Sequence, residues 1–167
     1  TRRILMGKTH NPWHLAPGLN HVGAFQVSGE PYATSSISLS STKRVIRFPQ
    51  VTKWIRIINN DSTGSCRVGF SALGIGFNRY SSSAGGGPQP NPGYRDGHNY
   101  FTVASSSVGY QNLRGVPGDS GVLDWKLSEV WIDGSGDVSV LAGLTSIPAH
   151  RCSSSFGPSY SGSAGVG

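Results

Sequence analysis

Charge is scarce in this chain. Only 13% of its 167 residues are Asp, Glu, Lys or Arg, and just eight are acidic. Eight carboxylates leave little material for a calcium cage or for the paired acids of a glycosidase. The low charge fraction also excludes a coiled coil or a long charged disordered tail. Cysteine is nearly absent: Cys66 and Cys152 make neither a disulfide framework nor a metal set, and both are expected unpaired, as free or buried thiols. No apolar run approaches the length of a membrane-spanning helix, so no transmembrane segment is expected. The first twenty residues lack the apolar stretch of a secretion signal. The five histidines (His10, His14, His21, His98 and His150) are not spaced as metal pairs, and carboxylates do not cluster near them. No metal or cofactor is expected.

What is abundant is turn and strand material. There are 24 Gly and 10 Pro, with many Ser and Thr. Gly supplies positive φ in tight turns, and Ser and Thr suit both turns and strands. Residues 1–21 read as an irregular arm carrying basic residues and Trp13, an aromatic that should dock on its own domain or on a neighbour. Strand patterns then follow at 22–28, 35–39, 44–48, 52–59, 66–72, 99–103, 108–113, 123–132 and 138–147. The strongest is 52–59, where apolar residues alternate with basic ones before an Asn-Asn-Asp-Ser-Thr-Gly turn. Residues 78–97 hold three consecutive Gly and three Pro, which forbid a regular element and mark a long surface loop. Residues 153–167 read as a flexible Ser/Gly-rich tail. The expectation is an all-β domain over residues 22–152, a sandwich of about eight antiparallel strands. Pattern alone does not separate a jelly roll from an immunoglobulin-like sandwich.

Two motifs carry a temptation towards chemistry. Gly118-Asp119-Ser120-Gly121 is the tetrapeptide that surrounds the nucleophile of chymotrypsin-like serine proteases. The chain order opposes that reading, because His150 follows Ser120 and the earlier histidines precede any strand or follow the loop. A tight turn explains the same residues, so no catalytic residue is assigned and the chain is not expected to be an enzyme. Asn60-Asp61-Ser62 matches a glycosylation sequon, a triplet common by chance. Trp13, Trp54, Trp125 and Trp131 could form a sugar platform, but three of them lie inside strand patterns, where packing is the commoner fate.

FPQVTKWIRIINND, CRVGFSALG, NYFTV, KLSEVWI and VSVLAGLTSIP occur in that order between residues 48 and 148. Together these stretches resemble the penton, or vertex, proteins of the double-jelly-roll lineage of icosahedral double-stranded DNA viruses, above all those of large viruses of algae and protists. The resemblance implies a single jelly roll standing upright at a five-fold vertex. It implies a homopentamer surrounded by major capsid protein capsomers, with minor capsid or spike proteins as further partners. It implies a location in the virion, after assembly inside the host cell. The family brings no catalytic residues. Candidate interface residues are Trp13 of the arm, Tyr80, Tyr94 and Arg95 of the 78–97 loop, and Trp131, on a strand pattern apolar on both faces. A strand of that kind is covered on both faces, by core on one and a neighbouring subunit on the other. The net charge of +6 is scattered, so contact with nucleic acid is expected to be weak or absent. The alternative from another class is a carbohydrate- or receptor-binding β-sandwich, such as a fibre head or lectin-like module.

Overall fold

The computed structural model describes residues 17–23, 29–40, 43–76, 99–107, 118–154, 157–163 and 165–166. Among them nearly all regular structure is strand: β1 Pro31–Ser38, β2 Arg44–Arg47, β3 Gln50–Asn59, β4 Cys66–Gly69, β5 Tyr100–Val103, β6 Glu129–Gly134, β7 Asp137–Pro148, and the two-residue β8 Ser153–Ser154 and β9 Gly157–Pro158. A single 3₁₀ turn at Ala149–Arg151 follows β7.

The strands form two principal antiparallel sheets. One has the order β1-β7-β3 and the other β2-β6-β4-β5. Residues 118–127 run along the free edge of β3. Asn59 N–H bonds the Gly118 carbonyl, Ser120 N–H the Ile57 carbonyl, and Ile55 and Leu123 exchange both of their backbone bonds. Thr52 closes the same edge: its N–H donates to the Leu127 carbonyl, and its hydroxyl donates to the Trp125 carbonyl at 2.7 Å while accepting from Leu127 N–H at 3.0 Å. This segment therefore satisfies the backbone of β3 over nearly its full length, as a fourth strand would.

Period-two alternation decides which side chains face inward. On β7, Val138, Val140, Ala142 and Leu144 are at most 2% exposed. On β3 the inward set is Ile55, Ile57 and Asn59, with Trp54, Arg56 and Ile58 on the outer face. From the second sheet Ile46, Cys66, Val68, Val103, Val130 and Ile132 join the same cluster, so the sheets face each other across one core, the arrangement of a β-sandwich. On the outer face the Trp54 indole lies across Gly143, its partner in register. A Cβ on Gly143 would come within 2.3 Å of the indole nitrogen. The pairing of β3 with β7 shifts register between Gln50 and Trp54. Beyond that shift Val51 and Ile147 turn into a second small core with Cys152. Thr145 stitches the irregularity, donating to the Val51 carbonyl at 2.8 Å and accepting from Ile147 N–H.

One end of the sandwich is organised by Asn59, whose side chain is fully buried. Its Nδ2 donates to the Gly64 carbonyl at 2.8 Å and the Ala104 carbonyl at 3.1 Å, and its Oδ1 accepts from Asp61 N–H at 3.0 Å. Between β6 and β7 the chain crosses from one sheet to the other at this end. Gly136 has φ 74° at the corner, and a Cβ there would strike the Asp61 side chain.

Several strand boundaries differ from those expected. Val22 and Gly23 lie outside any strand, and residues 24–28 and 108–113 fall wholly outside the described residues. The weak strand at 35–39 is the end of a longer one that begins at Pro31. The pattern at 66–72 stops pairing at Gly69, and residues 70–76 turn back over the sheet. The run 123–132 is not one strand: its first part lines β3, and pairing in the other sheet begins only at Glu129. The tail read as flexible is instead docked over its described residues. Ser159 is fully buried, its N–H donates to the Cys152 carbonyl at 2.9 Å, and Tyr160 packs against both the main and the second core. The folded unit thus extends beyond residue 152.

Asn59→Ala removes the amide from three backbone partners at once. Stranded buried carbonyls cost about 1–3 kcal/mol each, partly recovered by relaxation. The expected loss is about 2–4 kcal/mol, read as a fall of roughly 4–16 °C in thermal midpoint. A loss under about 0.5 kcal/mol would show that Asn59 does not hold this end together.

Candidate functional site

The Gly-Asp-Ser-Gly run sits on the edge of β3, and its side chains are occupied by the sheet. Gly118 and Gly121 have φ of 75° and 70°, the values of a chain that kinks at both ends of the motif. The Asp119 carboxylate receives Arg56 from β3 through Nε at 3.0 Å to both oxygens and through a 2.5 Å contact from the second guanidinium nitrogen. It also accepts from Gly121 N–H at 2.9 Å. The hydrogen bond to Asp119, and then its charge, raise the Arg56 pKa. Ser120 Oγ accepts from Ile57 N–H at 2.9 Å and donates to the Gly121 carbonyl at 2.8 Å. A nucleophilic serine would need a base as the acceptor of its proton, and here a backbone carbonyl takes that place. Of the histidines, His21 and His150 are exposed, while His10, His14 and His98 lie outside the described residues. Among the described residues no group of three or more His, Cys, Asp or Glu could hold a metal ion.

The outer face of the second sheet carries Trp131. Its indole N–H donates to Glu129 Oε1 at 3.1 Å, and the other Glu129 oxygen meets Arg47 Nε at 3.3 Å across the β2–β6 pair. Trp131 is 7% exposed, packed with Ala72, Ile75 and Val45. The chain's own 70–76 turn covers this face of the strand, so Trp131, expected at a subunit interface, is buried within the chain itself. Trp13, Tyr80, Tyr94 and Arg95 lie outside the described residues.

Both cysteines are free and fully buried. Burial pushes the Cys66 thiol from its ordinary 9.0 up to about 11. Burial also raises Cys152 and lifts Tyr160 to about 12, the latter helped by the neighbouring Cys152. Asp61 shifts the other way. It accepts Thr63 N–H, the Ser135 hydroxyl and the Thr63 hydroxyl, which lower its pKa. These are the marks of a structural turn. Asn60, in the sequon, is exposed and donates to Ser139 Oγ at 2.8 Å.

An open concavity lies at the opposite end of the sandwich from Asn59. Phe70, Asp124, Trp125, Lys126, Leu127, Tyr160 and Val166 line a cleft of about 340 Å³. Trp125 is 39% exposed and is held by two phenylalanines: Phe70 at 5.0 Å between ring centres and 87° between planes, and Phe101 at 5.9 Å and 74°. Lys126 Nζ donates to the Leu19 carbonyl at 2.8 Å, tying the start of the described chain to this end. Alternation along the 123–132 pattern would put Trp125 on one face with Leu127 and Trp131. Trp125 stands at a cleft mouth because pairing in the second sheet begins only at Glu129. The tail residues that complete the cleft carry no pattern that would bring them here.

Comparison of the chain with protein-family models, curated proteins and solved structures finds no match.

Two outcomes test these assignments. A fluorophosphonate probe is expected to leave Ser120 unlabelled, while Asp119→Asn costs about 1 kcal/mol of stability, a small sum because water still screens the part-exposed Arg56. Labelling at Ser120 would restore a catalytic reading. For the thiols, alkylation without reductant should modify both in denaturant and neither in the native protein. A folded thiol pKa above the unfolded one gives stability that is complete below pH 9.0 and lost as pH rises towards about 11. Thermal midpoints should fall across that window, less steeply in Cys66→Ala.

Proposed function

We propose that this chain is a structural protein of an icosahedral viral shell: a single jelly roll that assembles as a homopentamer at the five-fold vertices and contacts the surrounding major capsid protein. The observation that carries this reading is the nesting of the strand pairs. β1 pairs with β7, β2 with β6, β3 with residues 119–123, and β4 with β5, all antiparallel. A long hairpin folded about the β4–β5 connection has those four pairs. Rolling it up adds β3 against β7 and β4 against β6, the two further pairings present here. A hairpin wound in that way gives a jelly roll, an architecture widely used in viral capsids, and this match of pairings is what supports the reading. The sequence resemblance to vertex proteins supports the same reading independently of the strand order.

An upright subunit in a ring needs two different lateral surfaces, because cyclic contacts are head-to-tail. The outer face of the β1-β7-β3 sheet offers one, with Trp54, Ile58 and Leu141 half-buried and Val122 43% exposed. With Trp131 inside the chain's own packing, this face replaces it as the proposed lateral contact. In this reading the protein resides in the virion, is assembled in the host cell, needs no cofactor and performs no catalysis. Spike or minor capsid proteins are further partners, and nucleic acid contact is weak. The carbohydrate- or receptor-binding sandwich remains the second reading, favoured by the exposed Trp125 at its cleft.

Native mass spectrometry of the full chain is expected to give a five-chain species, and a particle map to place it at the five-fold axis. A species that stays monomeric or trimeric and is missing from the axis would overturn the vertex assignment.

A further inference from the structure

We propose that the cleft around Trp125 is a carbohydrate subsite, with the indole as stacking platform for a neutral pyranose ring. This goes beyond the shell reading and does not depend on it. The Phe70 and Phe101 rings stand nearly perpendicular to the indole and fix it while 39% of its surface stays open. An ordered platform spends its conformational entropy during folding and not on binding. The cleft of about 340 Å³ lies within the usual range of small-ligand sites, at its small end.

The polar groups decide the chemical class. Among the described residues neither the Trp125 indole N–H nor the Asp124 carboxylate has a hydrogen-bond or ionic partner. A donor and an acceptor thus share the lining of the cleft with the rings of Phe70 and Tyr160 and the apolar Leu127. A pyranose presents an apolar C–H face and a rim of hydroxyls, each both donor and acceptor, and matches that pattern. An alkyl chain or apolar peptide would cover the Asp124 carboxylate without pairing it, which is costly. A quaternary ammonium would suit the aromatics, but Lys126 lines the same cleft on a chain of net charge +6.

Saturation-transfer NMR on the full chain tests this with methyl β-glucopyranoside, methyl β-galactopyranoside, methyl α-mannopyranoside and N-acetylglucosamine as probes, and tetramethylammonium as a counter-probe. At least one sugar is expected to receive saturation at its ring C–H protons with a Kd of roughly millimolar order, as suits a shallow single-ring site. Trp125→Ala should weaken it about tenfold or more, Asp124→Asn and Trp125→Phe about three- to tenfold, and the outer-face control Trp54→Phe not at all. If Trp125→Ala fails to fold, the two milder variants carry the test. No transfer to any of the four sugars, transfer unchanged in the Trp125 and Asp124 variants, or preference for tetramethylammonium would each overturn the proposal. A pentamer that binds none of the sugars removes this inference alone. A sugar-binding monomer removes the vertex reading and leaves this one standing.

Discussion

The inner face of β7 is the constraint on which the rest of the structure depends. β7 is hydrogen-bonded on both sides, to β1 and to β3, so its backbone is satisfied only in the middle of a sheet. Its inward Val138, Val140, Ala142 and Leu144 must then be covered by something apolar. Burying a Val or Leu side chain is worth about 1.5–3 kcal/mol, and three such side chains on one strand exceed the contribution of either ion pair found among the described residues. The cover is the β2-β6-β4-β5 sheet, whose own inner face has the same need. Each sheet solves the other's exposure, which is why the chain crosses between them rather than extending either one.

A sandwich closed in this way leaves two problems at its ends, where strands stop and backbone groups lose their ladder partners. Buried polar side chains answer them. Asn59 replaces ladder bonds where β3 gives way to the 60–65 turn, and it does so for the end of β5 as well. Thr52 and Thr145 do similar work at the other end, where the β3–β7 register slips and the following residues change face. Asp119 belongs to the same class. Its pairing with Arg56 fixes the segment along β3 from which Trp125 is presented. The residues that resemble a catalytic motif thus help to shape the Trp125 cleft without lining it.

The two ends differ in what they leave open. The Asn59 end is filled by side chain–backbone bonds. The Trp125 end is finished by the tail, with Tyr160 packed between two cores and the Val166 carbonyl receiving the Ser71 hydroxyl at 2.8 Å. A loop-built opening on a rigid sandwich is a common place for recognition, since the sheets hold the geometry and the loops vary the chemistry. That division is compatible with a shell subunit that uses a sheet face for assembly and an end for ligands.

The class of the fold is legible in local pattern alone. Alternation in 52–59 and 138–147 marks strands whatever they pair with, because a period of two puts apolar residues on one face. Gly134 and Gly136 mark the corner between β6 and β7 for an equally local reason. The absence of clustered acids, cysteines and spaced histidines was also readable directly. Tertiary structure decided which strands are neighbours, since pairing depends on partners far away in the chain. It decided that Trp131 is covered by residues 72 and 75, because a turn that folds back over a sheet has no periodicity to announce it. It decided that Trp125, on the same parity as Trp131, stands at an open mouth, because the chain changes sheets between them. It also docked a Ser/Gly-rich tail that composition alone makes look free, through the buried Ser159, Tyr160 and the Val166 carbonyl, whose places only the assembled core can provide.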